Sequence, residues 1–189
     1  MLFRSPISTT GKVRVKHLND ATVKVDSPAF TVRGKLELDP IAVLGTQPGN
    51  GETWPAGTLQ SIIWRTTGKI DNVKLEYSTD AGATYPAANL ISASTPNVGS
   101  PLQAYTWMVQ DLVSTLMRVR ISDSRSQFVN LVSAASPTNF QVKGAISNVT
   151  PVGAPWTVGE VNRTISWTSS GPVSVPRSEE RRVGKECRL

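Results

Sequence analysis

The feature that most constrains this chain is an internal repeat with a spacing of about a hundred residues, the length of one β-sandwich domain. The runs Trp54-Pro-Ala-Gly57 and Ile62-Ile63-Trp64-Arg-Thr-Thr-Gly68 return as Trp156-Thr-Val-Gly159 and Ile165-Ser-Trp167-Thr-Ser-Ser-Gly171. The runs Val13-Arg-Val-Lys16 and Phe30-Thr-Val-Arg-Gly34 return as Met117-Arg-Val-Arg120 and Phe140-Gln-Val-Lys-Gly144. The sequence therefore predicts a slice of a tandem array of sandwich modules.

The repeated runs come from opposite ends of the unit, and this sets the predicted domain boundaries. Residues 1–36 are predicted to be the C-terminal part of a preceding module, residues 37–144 one complete module, and residues 145–176 the N-terminal part of a following module. We expect neither partial module to form a stable core, because each lacks the middle strands and isolated strand pairs are marginal in water.

Residues 177–189 break the pattern of the chain. They read Arg-Ser-Glu-Glu-Arg-Arg-Val-Gly-Lys-Glu-Cys-Arg-Leu, a charged run that follows Ser/Thr/Val-rich sequence without a turn signal between the two. The run resembles the in-frame translation of a common short-read sequencing adapter. We therefore interpret it as an artefactual tail and exclude it from the fold. A basic interaction tail is the alternative interpretation.

The predicted complete module alternates apolar and polar residues, a pattern typical of half-buried strands. The predicted strands are Gln60–Thr66, Val73–Tyr77, Tyr105–Val109, Met117–Ile121, Phe128–Val132 and Phe140–Val142. Strands with one apolar and one polar face are what two packed antiparallel sheets require, so the predicted fold class is an all-β antiparallel sandwich. The predicted core consists of Ile62, Trp64, Val73, Leu75, Tyr77, Trp107, Val119, Ile121, Phe140 and Val142.

The formal charge of +6 does not indicate a nucleic-acid-binding surface, because the excess of basic residues lies outside the complete module. Residues 1–36 carry seven Lys/Arg against two Asp/Glu, whereas residues 37–176 carry eight against nine. The single cysteine, Cys187, lies in the tail, so the modules can hold no disulfide and no thiolate site. No apolar run approaches the roughly 18 residues that span a bilayer. We expect no nucleic-acid partner and no membrane insertion.

One motif marks a turn inside the complete module. Ser78-Thr-Asp80-Ala-Gly82-Ala-Thr84-Tyr85 matches the Ser-x-Asp-x-Gly-x-Thr-aromatic pattern called an Asp box. The pattern predicts a tight turn in which Gly82 takes a positive φ, Asp80 accepts from backbone amides and Tyr85 packs back on the sheet. Asp boxes recur on sialidase propeller blades, which raises a glycosidase as an alternative. They are structural there as well, so we favour a hairpin turn.

The candidates for metal binding and catalysis are few. The possible oxygen ligands for Ca²⁺ are Asp71, Asp80, Asp111 and Asp123. They are predicted to lie on separate turns, so we interpret them as solvated turn carboxylates. His17, the only histidine, lies outside the complete module, which therefore cannot hold a histidine-based triad. We expect no catalytic residue, no metal and no cofactor.

The tryptophans raise the possibility of sugar stacking. Trp64 and Trp167 lie within alternating strands, so we interpret both as core residues. Trp54 and Trp156 precede a turn, and we expect their side chains to be half exposed. They are the two candidates for stacking against a ligand.

Several of these runs together resemble a known family. The run from Pro48 through Trp54 to Gly57, followed by Ile62-Ile-Trp64, is similar to the opening signature Pro-x-x-Gly-Glu-x-Trp-x-x-Gly…Ile-x-Trp of the yeast cell-wall-synthesis Ig-like domain. That family is also called the Ser/Thr-rich GPI-anchored membrane family. The further matching runs, typical of similar bacterial modules, are Val73–Gly82, Tyr105–Val109 and Arg118–Asp123. The resemblance covers residues 40–144 in full. Two departures are Gln110 in place of a usual proline and Gly153-Ala-Pro155 before Trp156.

The resemblance implies an Ig-like β-sandwich in an extracellular or cell-surface setting, with no catalysis and no active-site residue. We therefore expect a non-enzymatic stalk, spacer or adhesive segment of a larger repeat protein. Its expected partners are neighbouring modules of the same chain, cell-surface polysaccharide or other envelope proteins. The alternative function is a carbohydrate-binding accessory module of a surface hydrolase, with Trp54 as the first residue to stack on a sugar.

Overall fold

The computed structural model describes residues 7–38, 51–98, 102–150, 153, 155, 157–159 and 164–172. The predicted tail with Cys187 lies outside the described residues. Within the described residues the chain is all-β, with one short 3-10 turn at Ala87–Asn89. The strands are β1 (Ser8–Gly11), β2 (Arg14–Lys16), β3 (Lys24–Asp26), β4 (Phe30–Val32), β5 (Lys35–Leu38), β6 (Thr53–Pro55), β7 (Leu59–Thr67), β8 (Asn72–Ser78), β9 (Leu90–Pro96), β10 (Gln103–Met108), β11 (Ser114–Asp123), β12 (Ser133–Ala135), β13 (Phe140–Lys143), β14 (Ala145–Thr150) and β15 (Ser166–Ser170).

Strands β5 to β13 form two packed sheets, which we call the central sandwich. The first sheet has the order β10-β7-β5, and the second has the order β6-β13-β11-β8-β9, with β12 also paired to β11. The pairs are antiparallel, apart from the parallel pair of β6 with β13. The prediction of an all-β fold with antiparallel sheets packed face to face is confirmed.

The core lies between these two sheets. All ten residues of the predicted core are buried in it, because strict alternation places them on the inner faces of β7, β8, β10, β11 and β13. In the structure this core also includes three further strand residues, Leu36, Leu38 and Met117, and Ile70 from the turn after β7.

One buried polar side chain links the two sheets. Asn97, which follows β9 in the second sheet, is 2% exposed. Its Oδ1 accepts from Trp64 Nε1 at 3.3 Å and from the Thr66 hydroxyl at 3.1 Å, and its Nδ2 donates to the Ile70 carbonyl at 2.7 Å. Because the amide is hydrogen-bonded on both sides, its burial carries little penalty, and it fixes the first sheet against the second.

The predicted strand at Phe128–Val132 is wrong. These residues form a succession of turns, with Phe128 N donating to the Arg125 carbonyl and Val132 N donating to the Phe128 carbonyl, both at 2.9 Å. Phe128 and Val132 are nevertheless buried. A spacing of four residues puts two side chains on one face of a helical turn as well as of a strand, so the apolar pattern did not separate the two conformations.

The sequence pattern also did not predict β9. Its residues, Leu-Ile-Ser-Ala-Ser-Thr-Pro, are exposed or half-buried, and it stands at the edge of the second sheet. An edge strand with little buried surface needs no alternation of apolar residues, and Pro96 at its end is tolerated there.

The N-terminal segment, residues 7–34, repeats the backbone pairing of β11, β12 and β13. β1 pairs with β4 as β11 pairs with β13, and each pairing contains one irregularity between its two matched positions. The matched pairs are Ser8↔Val32 and Gly11↔Phe30 in the first, and Ser114↔Val142 and Met117↔Phe140 in the second. Two residues that occupy the same position in the two pairings, such as Ser8 and Ser114, are called equivalent below.

The side-chain contacts recur as well. Ser27 Oγ accepts from Val13 N at 3.0 Å, and Ser136 Oγ accepts from Val119 N at 3.1 Å. In return Ser27 N donates to the Val13 carbonyl at 2.8 Å, and Ser136 N donates to the Val119 carbonyl at 2.9 Å. Val13 is therefore equivalent to Val119, and the sequence match of Val13 to Met117 is shifted by two residues. Such a shift keeps every side chain on its own face, so the apolar pattern cannot detect it.

The C-terminal segment, residues 145–172, repeats the pairing of β5 with β7. The register of β14 with β15 matches that of β5 with β7 over three successive positions and then departs from it near Asn148, whose φ is 53°. The matched pairs between β14 and β15 are Ala145↔Ser170, Ile146↔Ser169 and Ser147↔Thr168. Those between β5 and β7 are, in the same order, Lys35↔Thr67, Leu36↔Thr66 and Glu37↔Arg65.

The two terminal segments bury little. Among the described residues of 7–34 and 145–172, none is buried. The prediction that Trp167 is a core residue is therefore wrong for this chain: its side chain is 43% exposed, whereas its equivalent, Trp64, is fully buried. The strand alternates as expected, but the described residues supply no second layer to cover it.

The strand boundaries refine the predicted division of the chain. The expected boundary between residues 36 and 37 falls inside β5, which pairs with β7 and buries Leu36 and Leu38, so the central sandwich begins at Lys35. The expected boundary after residue 144 falls between β13 and β14.

Amide hydrogen exchange should separate the three parts of the chain. Backbone amides in β1 to β4 and β14 to β15 are expected to exchange at least about a hundredfold faster than those flanking Trp64, because strand pairs without a buried face open locally at low cost. Mass-spectrometric exchange on the whole chain measures this. Equal protection in β7 and β15 would contradict the prediction.

Candidate functional site

Trp54, the first candidate for stacking a ligand, lies in the core. Its side chain is 2% exposed, and its ring centroid lies 4.7 Å from that of Phe140 and 6.2 Å from that of Trp107. β6 runs parallel to β13 with Trp54 opposite Val142, which turns the indole inward. The expectation of a half-exposed side chain is therefore wrong, because the strand pairing of so short a run was not visible in the sequence. Trp156 lies outside the described residues.

The run Ser78–Tyr85 forms the predicted turn, which we call the aspartate turn. Asp80 Oδ1 accepts from Thr84 N at 2.9 Å and from the Ser78 hydroxyl at 2.5 Å, while Asp80 Oδ2 accepts from the Thr84 hydroxyl at 2.5 Å. Gly82 N donates to Ser78 Oγ at 2.9 Å, and Gly82 has a φ of 84°, a region that glycine enters without strain. The predicted roles of Gly82 and Asp80 are both confirmed.

These bonds define the electrostatics of the turn. The hydroxyls of Ser78 and Thr84, together with the Thr84 amide, lower the pKa of Asp80 from 3.8 to about 2. Both carboxylate oxygens are thus occupied by the turn itself. A carboxylate held in this way is ionised and bonded, so it is suited to bracing the loop and poorly suited to proton transfer near neutral pH.

A charged cluster stands beside the aspartate turn. Arg120 Cζ lies 3.9 Å from the ring centroid of Tyr85, and Arg120 Nη2 is 2.8 Å from Glu76 Oε2. Lys74 Nζ is 2.6 Å from Glu76 Oε1. Tyr85 therefore packs back on the sheet as predicted, through the guanidinium of Arg120.

Glu76 is the unexpected member of this cluster. The alternation of β8 places it on the outer face, as predicted, yet it is only 2% exposed. Burial raises the pKa of Glu76, but the hydrogen bonds and charges of Lys74 and Arg120 together outweigh burial and hold that pKa below its ordinary value. The sequence pattern Lys-x-Glu on a strand shows only a polar face and gave no signal of this burial.

Of the other aspartates considered as Ca²⁺ ligands, Asp71 is exposed, whereas the interpretation of Asp123 as a solvated turn carboxylate is wrong. Asp123 is fully buried and pairs with Arg125, whose Nη2 lies 2.6 Å from Asp123 Oδ2. Asp111 Oδ1 accepts from Gly171 N. In the part of the chain that the structure describes, no group of three or more His, Cys, Asp or Glu side chains could hold a metal ion. His17 lies in the exposed turn after β2, where its Nδ1 accepts from Asn19 N at 3.3 Å.

Two packed junctions connect the central sandwich to its neighbours. At the first, a methyl group added to Gly34 would lie 2.8 Å from Ile7 Cδ1 and 2.9 Å from Ile70 Cδ1. These separations are shorter than van der Waals contact allows, so only glycine fits between the N-terminal segment and the fully buried Ile70 without a shift of its neighbours.

The second junction is built in the same way. A methyl group on Gly171 would lie 2.8 Å from Gly144 Cα and 3.3 Å from Val113 Cγ2, and Gly57 approaches the Ser170 side chain. Gly144 is equivalent to Gly34, and Val113 precedes β11 as Ile7 precedes β1. Each junction therefore contains a glycine in the connection between two strands, Gly34 or Gly144. Each also contains an apolar residue just before the strand β1 or β11, Ile7 or Val113.

The chain matches no protein-family model, and the comparison with curated proteins likewise finds no match. Within the described residues, no helix has both the length and the apolar character needed to cross a bilayer.

The junction glycines were present in the sequence as the last residues of the repeated runs, Gly34 and Gly144. A glycine conserved in position between two copies of a repeat signals either a positive φ or a close approach. Neither of these two glycines has a positive φ; a close approach explains Gly34, and Gly144 supplies the backbone that a side chain on Gly171 would meet.

Replacing Asp80 with asparagine should flatten the acid dependence of stability. The pKa of Asp80 is about 2 in the folded chain against an ordinary value of 3.8, so its carboxylate contributes stability above about pH 4 that is lost as the pH falls through about 2. The free energy of unfolding by urea, measured from pH 5 to pH 2, should fall less steeply in Asp80→Asn than in the original chain. Asp71→Asn, which removes an exposed carboxylate outside the turn, is the control. An Asp80 carboxyl that titrates near 4 by NMR would contradict the assignment.

Proposed function

We propose that this chain is a portion of a tandem array of Ig-like β-sandwich modules that serves as a non-catalytic stalk, spacer or adhesive segment of a cell-surface protein. Residues 1–34 belong to a preceding module and residues 145–176 to a following one. The recurrence of strand register at both ends of the central sandwich supports this organisation, because the same pairings and the same Ser27 and Ser136 contacts appear about one module apart.

The observation that carries the spacer function is the construction of the junctions. A single residue, Gly144, separates β13 from β14, and two residues, Arg33 and Gly34, separate β4 from β5. Long Gly/Ser-rich linkers let domains reorient, whereas linkers this short, packed on both sides, leave adjacent modules little freedom to rotate. An array joined in this way projects outward as a stiff rod.

The surface setting and the partners follow from the resemblance to the cell-wall-synthesis Ig-like family. The partners that fit are neighbouring modules, cell-surface polysaccharide and other envelope proteins. The near balance of charge over residues 37–176 supports a function that does not involve nucleic acid. The saturated carboxylate of Asp80 supports a structural role for the Asp box over a glycosidase role.

The burial of Trp54 removes the first residue proposed to stack on a sugar in the carbohydrate-binding alternative. That alternative requires an exposed aromatic platform, and Trp54 is buried against Phe140 and Trp107. Trp64 and Trp107 are buried as well.

A tandem duplication of residues 35–144 tests the stiffness of the junction between two complete sandwiches. It places Gly144 and Val113 of the first copy against Gly68 and Ile70 of the second, which are the positions used at the natural junctions. Spin labels on Ala88→Cys in both copies report the distance between modules, and no other cysteine is present in these residues. We expect one narrow distance distribution.

Two matched variants sharpen this test. Gly144→Val should broaden or displace the distance distribution, because a side chain at the equivalent Gly34 would collide with Ile7 and Ile70. Lys143→Ser changes an exposed neighbour in the same connection and should leave the distribution unchanged. The comparison protein carries a ten-residue Gly-Ser linker inserted after Gly144. If the duplication gave a spin-label distance distribution as broad as that of the comparison protein, the spacer proposal would be refuted.

A further inference from the structure

The outer face of the second sheet carries an arginine whose charge no carboxylate balances. Arg118 on β11 is half-buried, and its Nε donates to the side-chain oxygen of Asn139 at 2.7 Å. Asn139 is neutral, and among the described residues no carboxylate forms an ion pair with Arg118. The bond at Nε orients the guanidinium, and its two terminal nitrogens carry the N–H groups that a ligand would meet.

Two further donors stand beside Arg118. A methyl group added to Gly82 would lie 3.1 Å from Arg118 Cδ and 3.2 Å from the Tyr85 hydroxyl oxygen, so both side chains approach the same point. Arg120 lies two residues further along the same face of β11, roughly 7 Å away. Its guanidinium is 3.9 Å from the centre of the Tyr85 ring. Burial raises the pKa of Tyr85 more than the two arginines lower it, so the hydroxyl is protonated near neutral pH and can donate.

The carboxylates near these donors are already occupied. Glu76 Oε1 lies 2.6 Å from Lys74 Nζ, and Glu76 Oε2 accepts from Arg120 Nη2 at 2.8 Å. Asp80 is bonded by the side chains and the backbone of its own turn. The group around Arg118 therefore offers donors and positive charge to a ligand, a combination that favours an anion.

The group lies on a lateral face of the central sandwich. All its side chains belong to β8, β11 and the connections beside them, and the strands that border it, β9 and β12, pair with β8 and β11. Neither terminal segment contributes a residue to it. In an array of modules joined end to end, a lateral sheet face of this kind stays accessible to a partner.

We propose that Arg118, Arg120 and the Tyr85 hydroxyl form an anion site that holds a carboxylate of an acidic polysaccharide. The choice of a polysaccharide rests on the cell-surface setting of the proposed function. The planar guanidinium of Arg118 matches a planar carboxylate through two parallel N–H···O bonds, and the Tyr85 hydroxyl donates a third. Arg120 contributes its charge from the other side of the Tyr85 ring.

The repeat carries the same charges in the preceding module. The equivalence of the two pairings places Lys12 and Arg14 at the positions of Arg118 and Arg120. Cations thus recur on the same lateral face one module apart. A long polyanion can contact several such sites at once, so that weak binding at each site adds up to a stable attachment.

A nucleic acid matches this site less well. Its affinity for proteins comes from many phosphate contacts within an extended positive field, whereas residues 37–176 carry eight Lys/Arg against nine Asp/Glu. Base stacking requires an open aromatic face, and Arg120 covers one face of Tyr85.

Isothermal titration calorimetry of the whole chain with a galacturonic acid oligomer tests the proposal. We expect binding that weakens as salt is added. Arg118→Gln should lower the association constant about tenfold, because it removes a charge-assisted pair of hydrogen bonds. Lys69→Gln, at an exposed position in the turn after β7, is the matched control and should bind as the original chain does. The two variants have the same net charge, so the basic residues elsewhere in the chain cannot explain a difference between them.

A conservative variant and a spectroscopic signal locate the site. Tyr85→Phe removes the donor hydroxyl and keeps the ring against Arg120, and it should lower the association constant about threefold. In NMR titrations the Nε–H signal of Arg118 should shift with added oligomer. The Nε–H signal of Arg125, which is bonded to Asp123, should not. Unchanged thermal unfolding shows that each variant is folded.

Three results would overturn the proposal. The first is a chain without affinity for the oligomer, and the second is equal binding by Arg118→Gln and Lys69→Gln. The third is binding of uncharged dextran or of duplex DNA as tight as that of the galacturonic acid oligomer. The distance distribution of the duplicated sandwich does not involve Arg118, so the spacer proposal fails or holds separately.

Discussion

The packing of β7 against the second sheet is the constraint on which the rest of the structure depends. Trp64 fills the space between the sheets, and its indole N–H is fixed to the buried amide of Asn97, which also holds the Ile70 carbonyl. That arrangement positions the end of β7 and, with it, the site where Gly34 meets Ile70. A two-layer core of this kind is self-sufficient, because each sheet buries the apolar face of the other.

The terminal segments show what the same sequence pattern does without that second layer. β14 and β15 keep the register of β5 and β7, yet Trp167 stays 43% exposed where Trp64 is fully buried. The two strands alone are therefore enough to set their pairing register, whereas burial of their apolar side chains requires the strands of an opposing sheet. The junction glycines allow the terminal segments to pack against the central sandwich across connections of one or two residues.

Much of the central sandwich could be predicted from the sequence, because alternation on β7, β8, β10, β11 and β13 identifies their inner faces directly. The aspartate turn could be predicted in detail, because Asp80 and Gly82 act through local bonds. Other features, three of them in the central sandwich, could not be predicted. The burial of Trp54 depends on the parallel pairing of β6, the burial of Glu76 on two cations that reach it from β8 and β11, and the turn at Phe128 on a spacing shared by strand and helix. The first two depend on contacts between strands, and the third on a residue spacing that strands and helical turns share.

The paired substitution of Trp64 and Trp167 tests the central claim most directly. Both residues occupy the same position in the repeat, and only one is covered. In urea unfolding at low protein concentration, Trp64→Ala should lower the free energy of unfolding by about 3–5 kcal/mol. Trp167→Ala should change the free energy of unfolding by no more than about 0.5 kcal/mol, as expected for a surface position. Losses of similar size at the two positions would contradict the account.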